Sequence, residues 1–219
     1  GEQMGCVCAD LHRDHGVGLR CGVGVTAIEG EGRVERVRLT DGSVLAADLV
    51  VVGIGVFPET RWLQSSGLKL EDGVVCDATC AASAPDVVAA GDVARWFNPL
   101  FGESMRVEHW TNAVEQAEAA SLRLLGGPEV TTPFAPVPFF WSDQHGVKIQ
   151  LAGRIRPGDQ VEIVHGTIAE RRFVALYGRD GRLTGALGFN RPRFVIQYQG
   201  MIEQRATFGQ AVEKAGQSA

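Results

Sequence analysis

The chain has 219 residues, of which 45% are apolar and 21% charged, with a formal net charge of −5. This is an ordinary globular composition, long enough for one large domain or two small ones. The acidic balance argues against nucleic acid or an anionic membrane surface as the main partner, and no run of about 18 apolar residues marks a transmembrane helix.

The start Gly1-Glu2-Gln3-Met4 shows neither the basic region nor the apolar stretch of a signal peptide. Residues 4–15 read as a helix, stopped at Gly16. Residues 18–28 are apolar and β-branched, and Val34 to Leu39 alternates as a half-buried strand should. Asp41-Gly42 is a hairpin signal. Leu49-Val-Val-Val-Gly53-Ile-Gly55 is a continuous apolar run, the pattern of a strand covered on both faces. A turn and short helix are expected around residues 58–65, with short strands at 73–75 and 86–90. Thr111 to Leu125 reads as a helix with Ala113, Ala117, Ala120 and Leu124 on one stripe, ended by Gly126-Gly127-Pro128.

Residues 131–138 carry three prolines, a linker signature. Beyond them, strands are expected at 139–141, 147–151, 161–164, 172–177 and 183–189, followed by a helix at 192–203. The second half reads as an independent α+β domain. The first half reads as α/β but not self-contained, since a doubly wound sheet needs more β-α-β units than it has. The N-terminal part of a larger protein is expected to be missing.

Val87-Val-Ala-Ala-Gly91-Asp92 reads as a short apolar strand ending in Gly-Asp. A strand end of this kind is where ligands sit in α/β sheets; the glycine admits a ligand close to the backbone, and the aspartate can accept hydrogen bonds from a polyol. An ordinary strand and turn is the plain alternative. At Val107-Glu108-His109-Trp110 a helix begins, with Thr111 as a possible N-cap and Glu115 and Gln116 in the first turn. Its N–H groups and dipole suit the negative charge of a reduced flavin, with Trp110 against the ring. A capped helix with a core tryptophan explains the same residues. The strand end at Gly53 and Gly55, followed by Pro58, could carry a dinucleotide over its backbone or be a tight crossover turn. Phe139-Phe-Trp141-Ser-Asp-Gln144 is either a core strand or part of a site.

Gly22-Val-Gly24-Val-Thr-Ala27 fits G-x-G-x-x-A, but no helix is expected to open there, so it is not a dinucleotide fingerprint. The five cysteines (Cys6, Cys8, Cys21, Cys76 and Cys80) include no C-x-x-C pair and read as reduced thiols of a cytoplasmic protein. No Ser-His-Asp triad, metal constellation or side-chain acid or base stands out.

Taken together, Gly53-Ile-Gly-Val-Phe-Pro58, Ala89-Ala-Gly-Asp92, Val107-Glu-His-Trp110 with Gln116-Ala117, and Pro138-Phe-Phe-Trp-Ser-Asp-Gln144 resemble the FAD/NAD(P)-dependent ferredoxin reductases of oxygenase and cytochrome P450 systems. The resemblance covers nearly the whole chain. It implies incomplete FAD/NAD(P)-binding doubly wound domains followed by a C-terminal reductase α+β domain of the dimerisation type. Residues 1–60 would be the end of the NAD(P)-binding domain, 61–130 the end of the FAD-binding domain, and 131–219 the reductase domain.

The resemblance also implies that Asp92, next to the cofactor-binding Gly91, holds the flavin's ribityl chain and that Trp110, flanked by Glu108 and His109, meets its ring. Trp141 would approach the flavin from the C-terminal domain, and Gly55 and Pro58 would lie by the nicotinamide cofactor. The two G-x-G-x-x-G fingerprints that relatives carry upstream are not in this sequence. The intact protein is expected to pass electrons from NAD(P)H through FAD to a ferredoxin-type iron–sulfur protein, with the choice of NADH or NADPH open. Two other expectations stand beside it: another NAD(P)H flavoprotein of the same architecture, such as a nitrite-reductase-type or NADH-oxidase-like enzyme, and a non-enzymatic fragment that associates into homo-oligomers.

Overall fold

The computed structural model describes residues 1–217. It divides into two compact units, one formed by Glu2–Val56 and the other by the chain from Phe57 onward.

The first unit opens with α1 (Glu2–Arg13), which buries Met4, Val7 and Leu11, one face of a 3.6-residue repeat. Its sheet is antiparallel, in the order β1 (Val25–Glu29), β2 (Arg36–Leu39), β3 (Val44–Ala46). The expected alternation of β2 holds, with Val37 and Leu39 buried. At the turn into β3, the Asp41 carboxylate accepts from the Ser43 amide and hydroxyl at 2.9 and 2.6 Å. At Gly22–Gly24 the chain turns directly into β1 and no helix follows.

The apolar run Leu49–Gly55 is not the doubly covered strand its pattern suggests. No described segment pairs with it, and Val51 and Ile54 are 86% and 92% exposed. A strand exists only where a neighbour takes its backbone N–H and C=O groups. The hydropathy marks a need for cover that the described residues do not meet.

The second unit begins with a 3-10 turn at Arg61–Leu63, where the sequence suggested a turn and short helix. A small sheet follows in the order β4 (Val74–Cys76), β5 (Ala94–Asn98), β6 (Glu103–Met105), with β4 parallel and β6 antiparallel to β5. Neither β5 nor β6 was foreseen. The expected strand at 86–90 is absent: Asp86 stands in a turn at φ +58°, and the segment makes only an isolated bridge between Ala81 and Val88. Trp96 of β5 is fully buried among Leu63, Val74, Met105 and Val107.

The proline segment 131–138 is not a loose linker. The Trp96 Nε1–H donates to Phe134 O at 3.1 Å, the Asn98 Nδ2–H donates to Pro136 O at 3.0 Å, and the Phe134 amide donates to Ala78 O at 2.7 Å. Proline removes donors from the segment but leaves its carbonyls free to accept, and buried side chains supply the partners.

Helix α2 (Trp110–Gly126) ends at Gly127, as the Gly-Gly-Pro signal suggests. Its buried stripe is Asn112, Gln116 and Ala120 rather than the alanine stripe expected; Ala117 and Leu124 are exposed. Two amides occupy buried positions that a hydropathy pattern assigns to solvent.

The last third is a five-stranded antiparallel sheet: β7 (Phe139–Gln144), β8 (Val147–Gly153), β9 (Gln160–Thr167), β10 (Arg172–Arg179) and β11 (Arg182–Phe189), ordered β7-β8-β11-β10-β9. All five were expected, each one to four residues shorter. Helix α3 (Pro192–Glu203) lies over β11 and β8, and a helix not foreseen, α4 (Phe208–Gly216), lies over β10, β11 and β9. Val174, Leu176, Ala186, Val195, Tyr198, Ile202 and Phe208 form the core between sheet and helices. Burying each of the larger aliphatic side chains contributes roughly 2 kcal/mol. Gly178 and Gly188 let the helices sit close, because a Cβ there would run into Phe208 and Val195.

Candidate functional site

Between residues 106 and 111 the chain leaves the small sheet and starts α2. His109 occupies the N-cap position without a side-chain cap, so the first-turn N–H groups are not met by a capping side chain. The proposed cap, Thr111, is already inside the helix; its hydroxyl donates instead to Phe139 O at 3.0 Å, tying α2 to β7. That bond sets Glu108, His109 and Trp110 against Phe139, Phe140 and Trp141, and these six residues line an open cleft of about 340 Å³. A neighbouring recess of about 300 Å³ is lined by Trp110, Thr111, Val114, Glu115 and Trp141.

The cleft is aromatic and accessible. Trp110 is 76% exposed and Trp141 43%. Trp110 is therefore not the core tryptophan that the plain alternative required. Along β7, Phe139 and Trp141 stand two residues apart on one face with ring centroids 6.2 Å apart, while Phe140 meets the His109 ring at 5.2 Å.

Burial holds the His109 pKa below the usual histidine range, aided by the Arg154 guanidinium and opposed by the Asp92 and Glu108 carboxylates. His109 is therefore neutral near neutral pH. Arg154 is itself paired with Glu103 at 3.2 Å. Burial raises the Glu115 carboxyl. Arg106, nearly buried, donates from Nη1 to Glu108 at 2.6 Å and to the Asp92 carbonyl at 3.1 Å.

Gly91 and Asp92 form the start of a 3-10 turn, Gly91–Val93, rather than a strand end. Gly91 has φ +73° and is buried against Ala113 of α2. The Asp92 carboxylate is exposed and, among the described residues, takes no hydrogen bond. The Gly91 amide donates to Gln116 Oε1 at 2.9 Å. Gln116 was named from sequence only as a first-turn residue and a motif member, not as a site residue; the signal available for its role was a pair of amides, Asn112 and Gln116, one helical turn apart on a helix otherwise rich in alanine.

Of the residues nominated from sequence, Glu108, His109, Trp110 and Trp141 line one cleft, and Gly91 and Asp92 adjoin the same helix. Pro58, half-buried, belongs to the second unit and is not part of the cleft lining; Gly55 belongs to the first unit. The two buried thiols offer no redox nucleophile at neutral pH, since burial pushes Cys76 up to about 11 and Cys80 up to about 12.

Residues 1–117 match the family described as pyridine nucleotide-disulphide oxidoreductase, and residues 139–215 match the reductase C-terminal family. The chain belongs to the pyridine nucleotide-disulphide oxidoreductases. Within that family it is 37% identical, over 92% of its length, to the ferredoxin reductase subunit of 5,5'-dehydrodivanillate O-demethylase from Sphingobium sp.. It covers 49% of that relative, and in general spans about half the length of the curated relatives it matches.

Among solved pyridine nucleotide-disulphide oxidoreductase relatives, the ferredoxin reductase for the CYP199A2 system of Rhodopseudomonas palustris is similar with a TM-score of 0.84 and 35% identity, covering 98% of this chain and 55% of that one. The covalent putidaredoxin reductase–putidaredoxin complex is similar with a TM-score of 0.86 and 31% identity, covering 94% of this chain and 49% of that one. These solved structures share the mixed α/β architecture with its C-terminal reductase domain. No described helix is long and apolar enough to cross a membrane.

Proposed function

We propose that this chain is the C-terminal portion of a cytoplasmic, FAD-dependent NAD(P)H:ferredoxin reductase. The observation that carries the reading is the aromatic cleft at the uncapped N-terminus of α2, with the exposed Asp92 carboxylate close enough to act on the cleft residue His109. The residues suit a flavin. Exposed tryptophans offer apolar faces to a planar ring, first-turn N–H groups and the helix dipole favour negative charge at the ring's polar edge, and Asp92 can accept from a chain of hydroxyls. When bound, FAD supplies the conversion of a two-electron donor, NAD(P)H, into one-electron steps.

The protein's own residues bind and orient. Trp110 and Trp141 cover the cofactor and exclude water; Asp92 holds its ribityl chain, and Gly91 admits it close to the backbone; neutral His109 adds no charge beside the ring; and Glu108 is held in place by Arg106. Gly55 and Pro58 are assigned to the nicotinamide side.

On this reading, residues 1–60 end the NAD(P)-binding domain, 61–130 end the FAD-binding domain and 131–219 form the reductase domain. The break between Val56 and Phe57 and the second family match beginning at 139 support that division. Five free thiols suit a reducing compartment. The names of the relatives support an iron–sulfur protein of the ferredoxin type as partner.

The test is electron transfer by the full-length protein. With NAD(P)H, cytochrome c reduction that depends on added ferredoxin is expected. Oxygen consumption with no ferredoxin dependence would favour an oxidase of the same architecture instead.

A further inference from the structure

Gln116 is fully buried, and its side-chain oxygen lies where two donors converge: the Gly91 amide at 2.9 Å and Asn112 Nδ2 at 3.3 Å. Asn112, itself 3% exposed, is oriented by a second bond from Nδ2 to Val107 O at 3.3 Å. That arrangement leaves the Gln116 oxygen as the acceptor for Gly91. The bond spans 25 residues and joins two segments that no strand pairing connects. On one side stands the Gly91–Val93 turn, whose left-handed first residue aims the next side chain, Asp92. On the other stands α2, whose first turn walls the aromatic cleft. Ala113 packs against Gly91 but gives no direction to the turn, because van der Waals contact is not directional while a hydrogen bond is.

We propose that Gln116 is a positioning residue that registers the Asp92 carboxylate against the N-terminal turn of α2, so that one cofactor can engage both at once. The inference rests on the flavin reading of Asp92 and Trp110 and adds to it the group that joins the two halves of the site. Without the Gln116 oxygen, the Gly91 amide is a buried donor with no acceptor, which carries a desolvation penalty. The turn escapes that penalty by rotating toward water, and Asp92 rotates with it.

The experiment is a double-mutant cycle on FAD affinity in the full-length protein, with Asp92→Ala, Gln116→Met and the double variant. Methionine keeps the length and apolar stem of glutamine but has no carbonyl. Each single variant is expected to weaken FAD binding roughly tenfold, and the double variant to bind about as weakly as the weaker single, because Gln116 acts through Asp92. Additive losses, near a hundredfold in the double variant, would mean that Gln116 contributes only general stability, and the proposal fails. So does an unchanged affinity in Gln116→Met. If Asp92→Ala alone binds FAD normally, the ribityl assignment itself is wrong and this inference goes with it.

A second readout needs no cofactor. Hydrogen exchange of the Gly91 amide in the present chain is expected to be slow and to accelerate about tenfold in Gln116→Met, but less in Gln116→Glu, which keeps an acceptor oxygen. Equal exchange in all three overturns the proposal, and Gln116→Glu carries the test should the methionine variant not fold.

Discussion

Asp92 and Trp110 are exposed side chains with few obligations to the fold, which separates ligand effects from stability effects. Asp92→Ala is expected to weaken FAD retention by the full-length protein roughly tenfold while leaving thermal stability nearly unchanged, as for most surface substitutions. Flavin absorbance after gel filtration, set beside the melting temperature of the apoprotein, checks both halves. Retention equal to wild type would remove Asp92 from the site.

Two histidines make the opposite kind of contribution. His165 sits at a left-handed position in β9, stacks on Phe194 at 3.7 Å and shares a 2.7 Å hydrogen bond with the buried Tyr198 hydroxyl. Burial, with Arg191 nearby, holds its pKa below the usual range, as burial does for His109. A depressed histidine pKa means that the unfolded chain binds the proton more readily. The stability from these groups is therefore present above the ordinary histidine pKa and lost as pH falls through the folded value. The melting temperature is expected to drop between pH 7 and 5. His165→Asn, which tolerates positive φ, should flatten that drop even if it lowers stability at pH 7. A pH profile of unchanged slope would sink this account.

At the scale of elements, the C-terminal sheet was the most legible part of the sequence. Its strands are separated by tight turns such as Asp180-Gly181, both at positive φ, and its helix α3 follows the asparagine–arginine–proline stop after β11. Helix α4 went unread because it is only nine residues long, although Thr207 and Gln210 form a reciprocal capping box at its start. Thr207→Ala is expected to destabilise the chain by about 1 kcal/mol in urea unfolding.

Strands β5 and β6 were missed for another reason. Arg95 and Asn98 interrupt the hydropathy of β5, β6 has a single apolar residue, Met105, and Asn98 is buried only because Pro136 and Leu100 satisfy its amide. A stronger element-level bond is Asp159, whose side chain is 2% exposed. It receives two bonds from Arg179 at 2.7 and 2.8 Å and one from the Arg156 amide at 2.7 Å. Asp159→Ala leaves Arg179 without its partner at the end of β10 and is expected to cost roughly 3 kcal/mol in the same assay.

Across the whole molecule, exposed apolar residues are spread along the chain, but one stretch carries several of the most exposed. Leu49, Val51, Val52, Ile54 and Phe57 lie in one tract, each more than 60% exposed. A tract of this kind favours association, and the purified chain is expected to elute from a sizing column as a homo-oligomer that Val51→Lys with Ile54→Lys shifts toward monomer. The same chain is expected to be nearly colourless. It holds the residues proposed for the ring and ribityl chain, but its sequence carries no glycine-rich fingerprint for the cofactor's pyrophosphate. About one equivalent of flavin retained per chain would contradict that.

By itself the sequence determined the family resemblance, the existence and order of the C-terminal strands, and the short segments around Asp92, Trp110 and Trp141. These depend on local periodicity, turn residues and motif spacing, which a single sequence carries. Tertiary structure alone decided that Val87–Asp92 is a bridged loop and a 3-10 turn, that Asn112 and Gln116 rather than an alanine stripe face inward, and that Trp110 stands in solvent at the mouth of a cleft. Those outcomes turn on which distant group lies opposite each polar atom. A buried amide is tolerable only where a partner such as the Gly91 N–H meets it, and that meeting, 25 residues away in the chain, is invisible to any local pattern.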